Sequence, residues 1–208
     1  MLSGQIKIIV IIFLLFTALL LVSGCESEKP KPEDTLNEYL KQEGNARLFL
    51  EKNLGLELRY GFYLPLTAND TYRFCYLEEE DSFAEWGIRF VLVELQDTLP
   101  VVVYTSPVFD GSLKESAVRP VRLPGYTYDL IFYNSGSYFL GSGGGEVYSY
   151  LADFEEKTFT PCFLEVSGDG SVVLSFPGDA PEELRQFFIR EFKKDYPMLI
   201  VEPDGNGR

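Results

Sequence analysis

The chain has 208 residues, with 32 acidic against 18 basic side chains, a formal net charge of −14 and no histidine. The missing imidazole excludes Ser-His-Asp and Cys-His nucleophilic catalysis, histidine-ligated zinc and the usual side-chain proton shuttle near neutral pH. An acidic surface repels nucleic-acid phosphates and anionic headgroups, so no nucleic-acid partner is expected. Solubility is the plainest use of such charge, and a cationic ligand or partner is the sharper one.

The first residues include Lys7, and Ile8 to Leu21 form an apolar run. That run is shorter than the ~20 apolar residues a spanning helix needs, and its layout is that of a secretory signal. Directly behind it stand Val22-Ser23-Gly24-Cys25. This segment resembles the lipobox of bacterial lipoproteins. The resemblance implies cleavage before Cys25, a diacylglyceryl group on its thiol, and an extracytoplasmic address in the cell envelope. In a Gram-negative host that is the outer membrane or periplasm; in a Gram-positive host it is the outer face of the cell membrane. Glu26 follows the cysteine, where an Asp would tend to mark retention in the inner membrane of enteric bacteria. Each buried methylene contributes ~0.8 kcal/mol, so two or three acyl chains would make the anchor effectively permanent.

Residues 1–24 are then a signal peptide and 25–34 a lipidated tether. The prolines and alternating charge of Glu26–Asp34 favour an extended chain reaching about 28 Å. Thr35 to Asn53 reads as a helix opened by a Thr35-x-x-Glu38 capping box, broken near Gly44-Asn45 and stopped at Gly55. From Leu56 the apolar period becomes two, and Leu56 to Leu64 reads as a half-buried strand. Further strands are expected at 71–78, 87–96, 100–105, 126–134, 145–153, 158–166 and 171–176. Ser167-Gly168-Asp169-Gly170 is a tight-turn sequence that should join the last two as a hairpin. The longest irregular stretch is Ser106–Gly125. Asp179 opens a second helix, with Leu184, Phe187, Phe188, Phe192 and Tyr196 on its apolar stripe and Arg185, Arg190, Lys193 and Lys194 outward. Met198–Glu202 should return as an edge strand, and 204–208 read as a disordered tail.

Short sequential strands with short connections predict an α+β fold. Its main element is an antiparallel β-sheet meander, a curled sheet or a sandwich, with one N-terminal and one C-terminal helix. Residues 35–203 form one domain on this reading.

Cys75 and Cys162 are an even pair, which outside the cytoplasm reads as one disulfide; two reduced, buried thiols are the other reading. Gly141–Gly145 lacks the Gly-Lys-Ser/Thr ending of a phosphate loop and more simply joins strands near Tyr138 and Val147. Around it aromatics are dense, and aromatic faces on a sheet can stack on sugar rings or clamp a peptide. By alternation Tyr126, Tyr128, Leu130 and Phe132 share a core face, leaving Tyr133 opposite as the candidate for exposure. The candidate ligand-binding residues are Tyr133, Tyr138, Gly143, Gly144 and Glu146. Glu78-Glu79-Glu80-Asp81 reads as a solvated turn. Asp129 and Glu146 would make a glycosidase pair only if about 5–9 Å apart. No cofactor or metal is assigned, and no residue a catalytic role. The function expected is non-catalytic: binding of an envelope protein or glycan, or envelope assembly. A carboxylate-dependent hydrolase acting on an envelope glycan is the alternative.

Overall fold

The computed structural model of the chain describes residues 32–64, 72–81, 86–96, 99–136, 138–139 and 144–202. The expected signal peptide, Cys25, most of the expected tether, Gly143 and the tail expected at 204–208 lie outside the described residues. The chain divides into two compact units, Met1–Tyr39 and Leu40–Arg208.

Helix α1 spans Pro32–Lys41 and α2 spans Asn45–Leu54. Pro32 suits a first helical position, where its fixed φ helps and its missing N–H costs nothing. Two expectations are corrected here. The segment expected as a tether is helical over its last three residues, 32–34, and Thr35 lies inside α1 instead of capping it. Gly44 (φ +82°) separates the helices, and Gly55 (φ +69°) ends α2 by donating its N–H to the Glu51 carbonyl at 3.0 Å. Both positions need a left-handed backbone that glycine adopts freely.

The expected strand from Leu56 shortens to β1, Gly61–Leu64. Side chains of α2 intercept the preceding backbone: Leu58 N–H donates to Glu51 Oε1 at 3.0 Å, and its carbonyl accepts from Arg47 Nη1 at 3.1 Å. These groups are no longer free for a strand partner. At Gly61 the chain passes so close to α2 that a Cβ would sit 2.9 Å from the Arg47 Cα.

β1 pairs with β2 (Arg73–Asp81), β2 with β3 (Trp86–Gln96) and β3 with β4 (Leu99–Thr105), all antiparallel. The Glu78–Asp81 run thus belongs to β2 and is not a turn. The second sheet contains β5 (Ala117–Val121), β6 (Leu130–Asn134), β7 (Tyr138–Phe139), β8 (Gly144–Asp153), β9 (Thr158–Ser167), β10 (Val172–Ser175) and β11 (Ile200–Val201). Its order is β11-β10-β9-β8-β6-β5, with β7 in line with β6 against β8. Only β10 and β11 run parallel among the described strands. Between β6 and β7, Ser135 accepts the Tyr148 N–H on its hydroxyl at 3.0 Å. The β9–β10 hairpin forms as the sequence predicts, with Gly170 N–H on the Ser167 carbonyl at 2.9 Å.

The sheets pack face to face. Cys75, Leu77, Ile88, Phe90 and Leu92 of the first share a core with Ile131, Tyr133, Tyr150 and Ala152 of the second. On the outer face of the second sheet, Phe132, Leu151, Cys162, Leu164 and Leu174 pack against α3 (Glu182–Phe192) through Leu184, Phe187, Phe188 and Phe192. α2 covers the first sheet, with Leu50 fully buried and the Phe49 and Phe74 rings stacked at 5.1 Å. The result from Leu40 onward is a helix-covered, mainly antiparallel sandwich.

α3 departs from expectation at two points. Its N-cap is Pro181, with no side-chain cap, so Asp179 does not open it. Arg185 does not face outward: 13 % of its side chain is exposed, and its guanidinium lies 4.7 Å from the Phe176 ring centroid.

The disulfide is also corrected. Cys75 and Cys162 are buried free thiols in two different cores, one between the sheets and one beneath α3. The second sheet stands between them, so no rotamer could join them. Burial pushes both thiols well above their ordinary pKa. A thiol-directed maleimide should therefore leave both unmodified in the native protein and label both after denaturation, as read by peptide mass spectrometry. A Cys75–Cys162 crosslinked peptide in unreduced digests would contradict this arrangement.

Candidate ligand-binding groove

The second sheet has more strands than the first, and on the inward face of β8 and β9 Tyr148, Phe159 and Phe163 are only partly buried against the inter-sheet core. The strand register places Tyr148 opposite Phe163 and Tyr150 opposite Pro161. The segment after β4 folds over them. Phe109 exchanges two backbone hydrogen bonds with Ile88, at 2.8 and 2.9 Å. That contact requires Gly87, where a Cβ would lie 2.1 Å from the Phe109 carbonyl oxygen.

Tyr133 fixes the rest of this segment. Its hydroxyl accepts the Ser112 N–H at 2.9 Å and donates to the Ser112 carbonyl at 2.8 Å. Gly111 leaves room for that hydroxyl, since a Cβ there would meet it at 2.3 Å. Glu79 accepts from the Ser112 hydroxyl at 2.7 Å and from Leu113 N–H at 3.3 Å. The exposure expected of Tyr133 is therefore wrong. It is fully buried, because both faces of β6 are covered, and it acts by holding the wall of a groove.

That groove has a volume of about 300 Å³ and is lined by Val108, Phe109, Asp110, Tyr150, Phe159, Pro161 and Phe163. Phe109 lies 4.9 Å from both Tyr150 and Phe159 between ring centroids, and Tyr148 meets Phe163 edge-on at 5.4 Å. Beside it, the Tyr148 hydroxyl donates to Glu146 Oε2 at 2.5 Å. That hydrogen bond and partial burial push the Tyr148 phenol up to about 12. Burial and then the nearby Asp110 carboxylate raise Tyr150. The site is thus aromatic on its walls and acidic at Asp110 and Glu146.

Of the residues singled out from sequence, the register brings Tyr138 opposite Glu146, and Glu146 reaches Tyr148. Gly144 opens β8 at φ +121°, where a Cβ would strike the Val166 carbonyl oxygen at 2.0 Å; its role is to let β8 close on β9. Gly143 and Cys25 lie outside the described residues. Phe109, Asp110, Phe159, Pro161 and Phe163 escaped sequence reading. A signal for three of them exists: β9 alternates Phe159, Pro161 and Phe163 on one face with Cys162 and Leu164 on the other.

Asp129 and Glu146 do not meet. β8 places Glu146 six residues from Ala152, which pairs with Ile131, so about 20 Å of strand separates Glu146 from the Asp129 end. Arg122 Nε holds the Asp129 carboxylate at 2.6 Å. The separation is far beyond that of a glycosidase pair. Among the described residues no His, Cys, Asp and Glu cluster could hold a metal ion, and no helix is long and apolar enough to cross a membrane. No protein-family model, curated protein or solved structure matches the chain.

A raised phenol pKa means the folded chain keeps a proton that the unfolded chain, with phenols near 10, has released. The stability held by Tyr148 is therefore fully present below pH ~10 and is lost as the pH rises from about 10 to about 12. Glu146→Gln should lower the Tyr148 titration toward 10, followed by its ring Cζ chemical shift, and soften the fall in urea midpoint between about pH 10 and about pH 12. An unmoved titration would remove Glu146 as the cause.

Proposed function

We propose that the chain is a non-catalytic, lipid-anchored binding protein of the cell envelope, and that its groove takes up a short glycan segment. The observation that carries this reading is the aromatic groove formed by Phe109, Phe159 and Phe163, with Tyr148 and Glu146 beside it. Sugar rings present C–H faces to aromatic walls, while their hydroxyls donate to carboxylates. Asp110 and Glu146 supply acceptors of that kind. A groove of this size is at the low end for small ligands, suited to roughly one or two sugar rings. The lipobox resemblance at Val22–Cys25 supports the anchor, and the acidic chain suits a domain held in water beside a membrane.

Titration calorimetry with oligosaccharides of glucose and of N-acetylhexosamine, one to four rings long, tests the ligand class. At least one series should bind, and Phe163→Ala should weaken it about tenfold, through loss of roughly 1.4 kcal/mol of ring contact, while Phe163→Tyr retains it. Tighter binding of choline than of any saccharide would overturn the glycan reading, as would no saccharide binding at all.

The anchor is tested separately in the native cell. The mature chain should begin at a diacylglyceryl-modified Cys25 by mass spectrometry, and Cys25→Ser should leave the precursor uncut and unacylated. An unmodified, uncut wild-type N-terminus would refute the anchor.

A further inference from the structure

A second concavity lies on the other side of the second sheet, between edge strand β5 with the turn that follows it and the last turns of α3. It has a volume of about 510 Å³, and Arg119, Arg122, Arg190 and Lys194 all line it, with Glu191 and an apolar wall that includes Leu123 and Phe187. Four cations in one cleft are a local reversal in a chain of formal net charge −14.

The counter-ions on hand do not balance them. Glu191 takes Arg119 Nη2 at 2.9 Å and Lys194 Nζ at 2.6 Å, while Asp129 takes Arg122 Nε at 2.6 Å. Two carboxylates thus face four cations. The exposed Arg190 side chain makes no ion pair or hydrogen bond among the described residues. Burial alone would raise Glu191, yet hydrogen bonds from Lys194 and Arg119 outweigh it and hold the carboxylate below its ordinary range.

Two of the four donors, Arg119 and Arg122, are also set in place before any ligand arrives. The Arg119 guanidinium lies over the Phe132 and Phe187 rings, at 5.2 and 5.9 Å from their centroids, and is 45 % exposed. Arg122 is fixed from a second side, donating Nη1 to the Thr127 carbonyl at 2.9 Å. Guanidinium forks held this way match the oxygens of a phosphate, and a cation stacked on rings gives up little freedom on binding.

We propose that this cleft is a binding site for an organic phosphomonoester, with the phosphate among Arg119, Arg122, Arg190 and Lys194 and the organic part against Leu123 and Phe187. The excess of two positive charges matches the −1.5 to −2 that a phosphomonoester carries at pH 7. A monocarboxylate would leave one charge unanswered. Extended polyanions are excluded by the acidic remainder of the surface. The phosphate could belong to a free solute or to the headgroup of a single lipid.

The test is titration calorimetry on the full unacylated chain at pH 7.5 with phenyl phosphate, inorganic phosphate and benzoate, and flotation of that unacylated chain, which no acyl anchor carries to the bilayer, with vesicles of phosphatidylcholine with and without phosphatidic acid. Phenyl phosphate should bind about tenfold more tightly than benzoate and more tightly than inorganic phosphate, and its affinity should fall with added salt. Arg190→Ala should weaken phenyl phosphate about tenfold with an unchanged melting temperature, because no fold contact is lost. Selective flotation with phosphatidic acid that Arg190→Glu abolishes would place the phosphate on a lipid. Phenyl phosphate binding without such flotation would place it on a free solute. Equal affinity for benzoate and phenyl phosphate, or an Arg190→Ala variant that binds as the wild type does, would overturn the proposal. Saccharide binding in the groove should persist in Arg190→Ala, which keeps the two sites separable.

Discussion

Double burial of β6 and β8 organises this molecule, because each strand must supply apolar side chains to two cores at once. β6 presents Leu130 and Phe132 to the α3 side and Ile131 and Tyr133 to the first sheet, and all four are buried. β8 does the same with Val147 and Leu151 on one side and Tyr150 and Ala152 on the other. A strand covered on both faces loses its polar alternation and reads as a nearly continuous hydrophobic run. Two consequences follow from that covering alone. The sheet becomes a barrier that keeps Cys75 and Cys162 apart, and a polar atom on either face is cut off from water: the Tyr133 hydroxyl finds partners inside the protein, while the buried Ser149 hydroxyl of β8 has none among the described residues.

Tyr133 shows how the second requirement shapes the surface. Its hydroxyl, buried in the sandwich, is satisfied by both backbone groups of Ser112. The same pair of bonds ties the segment after β4 onto the sheet, and Gly87 and Gly111 let the backbone come close enough to be tied. The wall of the aromatic groove is therefore a by-product of core chemistry. Its rigidity comes from buried hydrogen bonds, which suits a binding surface that must hold ring faces in fixed positions.

Local signals in the chain were legible where one short segment decides the outcome. Gly44 and Gly55 delimit α2, Ser167–Gly170 closes its hairpin, and the Leu184–Phe192 stripe buries against a sheet, each as periodicity and turn chemistry require. What was illegible depends on partners far away in sequence. Leu56–Tyr60 alternates like a strand, but Arg47 and Glu51 claim the Leu58 backbone groups. Tyr133 alternates like a solvent-facing residue, but a second sheet covers that face. β5 lies in a Pro-rich stretch, and Pro120 is tolerated there because β5 is an edge strand of the sheet, where a missing N–H breaks no ladder on the outer side. The charge of Arg185 points it to water, whereas Phe176 offers its guanidinium a ring face. Of the candidate site, Glu146 and the density of aromatics around it were visible, while Phe109 and Asp110 required knowing which strands the irregular segment crosses.

The two concavities divide the second sheet by charge as well as by side. Asp110 and Glu146 mark the inward groove, whereas Arg119, Arg122, Arg190 and Lys194 gather at the edge strand and α3. Charges separated by more than about 8 Å are largely screened at physiological ionic strength. A small anion at the cleft therefore responds to the nearby cations and hardly at all to the acidic surface beyond. An extended polyanion cannot escape that surface, since its far segments must lie along it. Net charge and local charge thus act on different ligand sizes, so an acidic chain can reject long polyanions and still keep one cleft fit for a compact one.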